Sequence, residues 1–243
     1  VEKTVKKARI YATACGVYES CLNGEKNGEF VLAPGITDYN KRIQYQTIDV
    51  TEQIKQGNNA WTVMLADGWY RGAAGAWGIR NQYGTETKFY GQLEITYEDG
   101  YVEVIASDET WEWSNDGPIR LADNKDGEVV EAYREISYEG KAKLTSHKVV
   151  PSASNNVANK ENEIFLPKLI TSPKGKKILD FGQNFAGYVS FSINAKKGDR
   201  IVLRFGEMLL ADGEFTQRNF QLVSKKKTTP LQRVDYTCKN GKN

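Results

Sequence analysis

Four side chains able to hold a polyhydroxylated ligand stand close together in the segment Asp67-Gly68-Trp69-Tyr70-Arg71-Gly72. More of the same types follow in a glycine-rich stretch, at Trp77, Arg80 and Tyr83. Carboxylates and guanidinium groups exchange paired hydrogen bonds with hydroxyls, and aromatic faces cover apolar C–H patches. That is the chemistry of a sugar-binding edge. The same residues also suit a packed surface loop whose ion pairs satisfy one another. What must position them is a strand: the run Ala60-Trp61-Thr62-Val63-Met64-Leu65 leads directly into the loop.

Strands dominate the rest of the chain. Ala8, Ile10, Ala12 and Ala14 alternate with polar or larger residues, as do Leu93, Ile95 and Tyr97, and Ile201, Leu203 and Phe205. A period of two marks strands with one face in a core. Asn23-Gly24 and Asp99-Gly100 favour positive φ at both turn positions, so each is expected to close a tight hairpin. Gly57-Asn58-Asn59 and Asn240-Gly241 read as further turns, and Thr51 to Lys55 as a single helical turn capped by Thr51. No long helix is expected. The pattern predicts an all-β chain of two β-sandwich, jelly-roll-like domains. A polar stretch centred on Pro151-Ser152-Ala153-Ser154-Asn155-Asn156 divides it. The expected layout is a first domain over 1–140, a linker over 141–162, and a second, incomplete domain over 163–243. Tyr188–Ile193 and Arg200–Phe205 are the clearest strands expected in the second.

Composition removes several function classes. With 33 Lys+Arg against 31 Asp+Glu, interspersed, the net charge of +2 gives no footprint for nucleic acid. The run Lys225-Lys226-Lys227 reads as a solvated loop. No apolar stretch approaches the roughly 20 residues of a membrane helix. Cys15, Cys21 and Cys238 are odd in number. The first two would lie about 20 Å apart along an extended segment, so free buried thiols are expected. The first residue, Val1, is not an initiator methionine, and the chain is expected to be processed or a piece of a longer protein.

Catalytic constellations are equally sparse. The single histidine, His147, falls in the expected linker with no partner set for a Ser-His-Asp or Cys-His site. Cys/His pairs at zinc spacing are absent. Asp123-Asn124-Lys125-Asp126-Gly127-Glu128 has the composition of a calcium loop. Gly127 at the sixth place would make Ala122 the first ligand, so a tight acidic turn is the better reading, with calcium in another geometry left open. A glycosidase pair of carboxylates cannot be singled out among 31 acids. Gly182 and Gly187 bracket a close turn that Asp180 can satisfy. Trp111 and Trp113 would share one face of a strand, as core or as a second stacking platform.

A series of ordered motifs resembles a known family. Gly16-Val17-Tyr18-Glu19, Leu22-Asn23-Gly24, Leu32-Ala33-Pro34-Gly35-Ile36-Thr37-Asp38-Tyr39, Lys41–Thr51, Asp67–Gly72, Gly117-Pro118-Ile119 and Asp126-Gly127-Glu128 are similar to the N-terminal domain of bacterial α-L-rhamnosidases. Asp180-Phe181-Gly182-Gln183-Asn184, Gly187-Tyr188-Val189, Leu203–Glu207 and Asp235-Tyr236-Thr237 look like the concanavalin-like β-sandwich that follows in those enzymes. Ile36 replaces the family's usual Trp, and Ala66 a frequent Gly. The resemblance implies a hydrolase, a glycosidase that releases terminal α-L-rhamnose with inversion, whose catalytic residues lie on an (α/α)6 barrel with no counterpart here. For this chain it implies a non-catalytic part that meets a rhamnose-containing carbohydrate and the helical barrel of the same polypeptide. It requires no cofactor, although one such domain is thought to bind sugar with calcium. The implied sugar-contact residues are Asp67, Trp69, Tyr70, Arg71, Trp77, Arg80 and Tyr83, with Asp38 and Asn40 on a neighbouring loop. A pure scaffold is the alternative, and a hydrolytic site within this chain a third reading. A periplasmic or extracellular compartment is favoured over the cytoplasm.

Overall fold

The computed structural model describes residues 1–75, 78–220 and 232–243. Trp77 and the run Lys225-Lys226-Lys227 lie outside the described residues. The chain is all-β, and its one α-helical element among the described residues is the turn Gly68–Arg71. Two compact units interleave along it. Unit 1 comprises 1–73, 80–114 and 138–161, and unit 2 comprises 74–79, 115–137 and 162–243.

The strands of unit 1 are β1 (Val5–Cys15), β2 (Val17–Leu22), β3 (Glu25–Lys26), β4 (Gln44–Asp49), β5 (Trp61–Ala66), β6 (Lys88–Tyr97), β7 (Val102–Ala106), β8 (Glu112–Trp113), β11 (Gly140–Lys141) and β12 (Ser152–Ala153). Five of them form a sheet in the order β12-β4-β1-β6-β7, three form β3-β2-β5, and β11-β8 is a short ribbon. The alternation in β1 works as expected. Ala8, Ile10, Ala12 and Ala14 are buried, and the antiparallel register sets Ile10 beside Ile48 on one side and Leu93 on the other. The chain leaves this sheet at Gly16 and enters the smaller one. Tyr18 and Leu22 of β2, with Trp61, Val63 and Leu65 of β5, pack onto the β1 and β6 residues as one core. Unit 1 is therefore a sandwich of two sheets around an apolar filling. Trp111 joins Trp61 and Phe89 at ring-centroid distances of 5.1 and 5.9 Å, whereas Trp113 is exposed, so the two tryptophans do not act as a pair.

Both dipeptide hairpins form. Asn23 and Gly24 each take positive φ, but at the second only Gly100 does, and the turn closed by Tyr97 and Tyr101 carries one more residue. The helical turn near Thr51 is a short 3-10 segment, Thr51–Gln53, and Thr51 is not its cap. Asp49 Oδ1 accepts from the Thr51 amide at 3.0 Å, and the Thr51 hydroxyl accepts from the Ala8 amide at 2.9 Å. The segment expected as a linker is stitched to unit 1. Strand β12 runs parallel to β4, and Asn155 Oδ1 accepts from Arg42 at 2.8 Å and Gln44 at 2.9 Å.

Unit 2 holds β9 (Ile119–Asp123), β10 (Gly127–Glu131), β13 (Lys168–Thr171), β14 (Lys177–Asp180), β15 (Asn194–Ala195), β16 (Arg200–Arg204), β17 (Met208–Leu209), β18 (Phe215–Thr216), β19 (Arg233–Thr237) and β20 (Gly241–Lys242). Its main sheet has the order β16-β19-β10-β9, and the remaining strands pair as β13-β14, β15-β20 and β17-β18. The parallel pairing of β10 with β19 unites a hairpin from the middle of the chain with its last strands. Tyr188–Ile193, expected as a strand, forms none among the described residues, although Ile193 exchanges backbone hydrogen bonds with Asn243. The acidic loop is a tight turn as expected, with Asp123 Oδ1 accepting from the amides of Lys125 at 2.8 Å and Asp126 at 3.0 Å. Asp180 likewise accepts from the Gly182 amide at 2.9 Å.

Candidate functional site

Strand β5 ends at Ala66, and the chain makes one helical turn before turning away at Gly72. The Arg71 amide closes the turn on Asp67 O at 3.2 Å. Gly68 is needed there: its φ is +53°, and a Cβ would lie 2.5 Å from Val17 Cγ2. The Asp67 carboxylate does not cap the turn. It faces Arg71 Nε at 3.1 Å, close enough to pair but not aligned as a hydrogen bond, and Arg80 at 3.5 Å. The aspartate side chain is 29% exposed and each arginine 37%, so the cluster meets solvent.

Beneath it lies a knot of tyrosines. Tyr70 is 4% exposed and packs with Cys15, Tyr39 and Ile43. Its ring centroid is 5.3 Å from Tyr39 and 6.3 Å from Tyr83, and Tyr39 is 5.1 Å from Tyr83. Gly84 makes room for it, since a Cβ at 84 would sit 2.4 Å from the Tyr70 hydroxyl. Burial, with Cys15 secondary, raises the Tyr70 pKa, and burial raises the Cys15 thiol. Tyr39 is pushed up more strongly by burial, then by Cys15 and Tyr83, while its hydroxyl donates to Gly35 O at 2.8 Å. The backbone follows the rings: the Tyr83 amide donates to Tyr70 O at 3.1 Å, and Asn81 to Arg71 O at 2.9 Å.

The expected residues thus divide. Asp67, Arg71 and Arg80 form the polar cluster, Trp69 and Tyr83 are half-buried against the tyrosine knot, and Tyr70 is interior packing that offers no face to a ligand. Asp38 and Asn40 are exposed on a turn in which Asp38 O accepts from the amides of Lys41 and Arg42, both at 2.8 Å, and Asp38 Oδ1 from Asn40 at 3.2 Å. Tyr39, between them, points inward and ties this turn to the Asp67 loop. Sequence reasoning missed Tyr39. The signal was a large ring flanked by two polar residues, a pattern that buries the middle side chain.

No group of three or more His, Cys, Asp or Glu side chains able to hold a metal occurs among the described residues. In the Asp123 loop the aspartate Oδ1 serves the turn amides. His147 accepts from the Val149 amide at 3.2 Å, and its pKa is lowered by burial and then by Lys88.

The family model of the α-L-rhamnosidase N-terminal domain matches residues 3–165, and that of the bacterial α-L-rhamnosidase concanavalin-like domain matches 170–243. The chain belongs to the α-L-rhamnosidase family. An α-L-rhamnosidase of Streptomyces avermitilis is 37% identical over 247 residues, 95% of this chain and 23% of the relative. One of Formosa agariphila is 34% identical over 230 residues, 89% of the chain and 25% of the relative. Among solved structures, the Streptomyces avermitilis α-L-rhamnosidase complexed with L-rhamnose aligns over 98% of this chain and 24% of its own, with a TM-score of 0.88 and 34% identity. The Aspergillus terreus α-L-rhamnosidase aligns over 98% and 28%, with a TM-score of 0.89 and 30% identity. This rhamnosidase-family chain therefore spans about a quarter of the length of the relatives it matches.

Proposed function

We propose that the chain is the non-catalytic β portion of an α-L-rhamnosidase and contributes a carbohydrate-contact surface at the Asp67–Gly72 turn. The supporting observation is the half-exposed Asp67–Arg71–Arg80 cluster, held on a turn that buried tyrosines fix from below. The Asp67 carboxylate can accept from one hydroxyl while the Arg71 and Arg80 guanidinium groups donate to its neighbour, and the exposed part of Trp69 can cover a C–H face. The ligand class is a rhamnose-containing carbohydrate. Release of terminal α-L-rhamnose belongs, in this reading, to an acid–base pair on a helical barrel of the same polypeptide.

The test is a protein-observed NMR titration with L-rhamnose, with and without calcium. Saturable shifts around residues 67–72, lost in Arg71→Ala with the fold intact, are expected. Silence at tens of millimolar sugar in both conditions sinks the recognition reading. The scaffold reading has its own support. Leu169 and Leu179 face each other across β13 and β14, yet are 60% and 52% exposed, as expected of a surface that packs on protein. A barrel domain supplied in trans would then protect these strands from hydrogen exchange.

A further inference from the structure

Strand β7 is the last strand of the five-stranded sheet, and among the described residues nothing pairs with its outer side. The Tyr97 amide donates to Tyr101 O and the Ser107 amide to Gly91 O, both at 2.9 Å. Antiparallel hydrogen bonds alternate along a strand, so the backbones of 101, 103, 105 and 107 face β6, and those of Val102, Val104 and Ala106 point away from the sheet. These outward groups form a row of free donors and acceptors.

The side chains break the pattern of the face they occupy. Val102 stands opposite Thr96, and Val104 opposite Glu94, on the face away from buried Leu93 and Ile95. On β1 that face carries Lys7, Arg9 and Thr13. Only at the edge does it turn aliphatic, with Val102 46% and Val104 53% exposed. Natural edge strands are normally blunted by lysine, proline or a bulge. The segment Val102-Glu103-Val104-Ile105-Ala106 has no lysine or proline and pairs with β6 without a register shift. Its single charge, Glu103, is engaged by the Tyr97 hydroxyl.

We propose that β7 is a self-association edge: two copies of the chain pair antiparallel about a two-fold axis at Val104, continuing the sheet from one copy into the other. The sequence is complementary to itself in this register. Val104 faces Val104 of the second copy, Val102 faces Ala106, and Glu103 faces Ile105, so no like charges meet. The outward groups of 102, 104 and 106 then exchange about six backbone hydrogen bonds. A single strand pair buries little area, so the dimer is weak, on the order of 10–100 micromolar.

Sedimentation velocity of the chain across that concentration range tests this, with Val104→Lys and, on the exposed apolar face of unit 2, Leu179→Lys. The wild type and Leu179→Lys are expected to shift from monomer to dimer together. Val104→Lys should weaken the dimer at least about tenfold with an unchanged circular dichroism spectrum, since a lysine on an edge opposes strand addition. With oxidised glutathione added as the two-electron oxidant, Val104→Cys should form a dimer linked at position 104, with two equivalents of reduced glutathione released, because facing residues lie within disulfide reach. A monomeric wild type, a dimer indifferent to Val104→Lys, loss of the dimer in Leu179→Lys, or failure of the position-104 linkage overturns the proposal.

Discussion

The two units are held by different physics. The interior of unit 1 has a large apolar part, with Ala8, Ile10, Ala12, Leu93 and Ile95 sealed between two sheets, beside the buried and hydrogen-bonded Thr13, Ser20, Asn27, Gln44 and Gln46. In unit 2, Cys238 is the one buried hydrophobic residue among the described residues, and the buried positions are Asp123, Ser172, Glu214, Thr216, Gln217 and Asp235. Those groups are bonded. Glu214 accepts from the Lys174 amide at 2.6 Å and the Ser172 hydroxyl at 3.2 Å, and Arg200 donates to both oxygens of Asp235, with Nε at 2.6 Å. Both units pair strands and satisfy buried polar groups, but only unit 1 adds a large apolar area removed from water. The candidate site lies on unit 1, where packed rings fix its turn.

The largest expected effect tests the apolar side. Ile10 is fully buried, and Ile10→Ala should cost about 4 kcal/mol by urea unfolding, from lost transfer energy and the residual cavity. Leu179→Ala should stay within about 0.5 kcal/mol. Equal costs would break the comparison. Next comes backbone strain in unit 2. Gly127 has a φ of +90°, and a Cβ there would lie 2.0 Å from Arg233 O, across the parallel pair. Gly127→Ala should cost about 3 kcal/mol and accelerate amide exchange in β19, leaving β1 and β6 protected. Exchange that rises equally in both units would show that they unfold as one.

These contrasts mark what the sequence could carry. The alternation of Ala8 to Ala14 was legible because one face of β1 is wholly buried, and Asn23-Gly24 because the turn needs those residues. Tyr188–Ile193 alternates just as well, but a strand exists only with a partner, and pairing is not written in local pattern. The β10–β19 pairing joins residues about a hundred positions apart, which no turn signal announces. At the site, Asp67 and Arg71 were legible as polar partners. Tyr70 was not legible as core, because tyrosine suits either a surface or an interior and only packing decides.

Extremes of pH should loosen identifiable strands in each unit. Arg200 holds the Asp235 carboxyl below its ordinary value. A depressed folded pKa gives stability that is present above the unfolded value, near 3.9, and is lost as pH falls through the folded one. Burial raises the Tyr18 and Tyr39 pKa values in unit 1. A raised folded pKa gives stability that is complete below the unfolded value, near 10, and is lost as pH climbs past it. Acid should therefore loosen the β16–β19 pairing as Asp235 takes its proton, and alkali β2 and the tyrosine knot, as read by amide resonances. Asp235→Asn should flatten the acid response of β16 and β19 and leave the alkaline response of β2 unchanged.

The smallest effect bears on the site itself. Tyr39→Phe keeps the ring contacts with Tyr70 and Tyr83 and removes one hydrogen bond, from its hydroxyl to Gly35 O. Stability should fall by about 1 kcal/mol, the usual worth of such a bond, because the bared carbonyl borders a half-buried loop that water can reach. If rings rather than hydroxyls fix the Asp67 turn, the sugar-induced shifts in Tyr39→Phe should keep their midpoint, whereas Tyr39→Ala should broaden or abolish them along with the Asn81 and Tyr83 amide bonds. A changed midpoint in Tyr39→Phe would mean that the knot under the site works by polar bonding, as unit 2 does, and the distinction between the units would not extend to the functional surface.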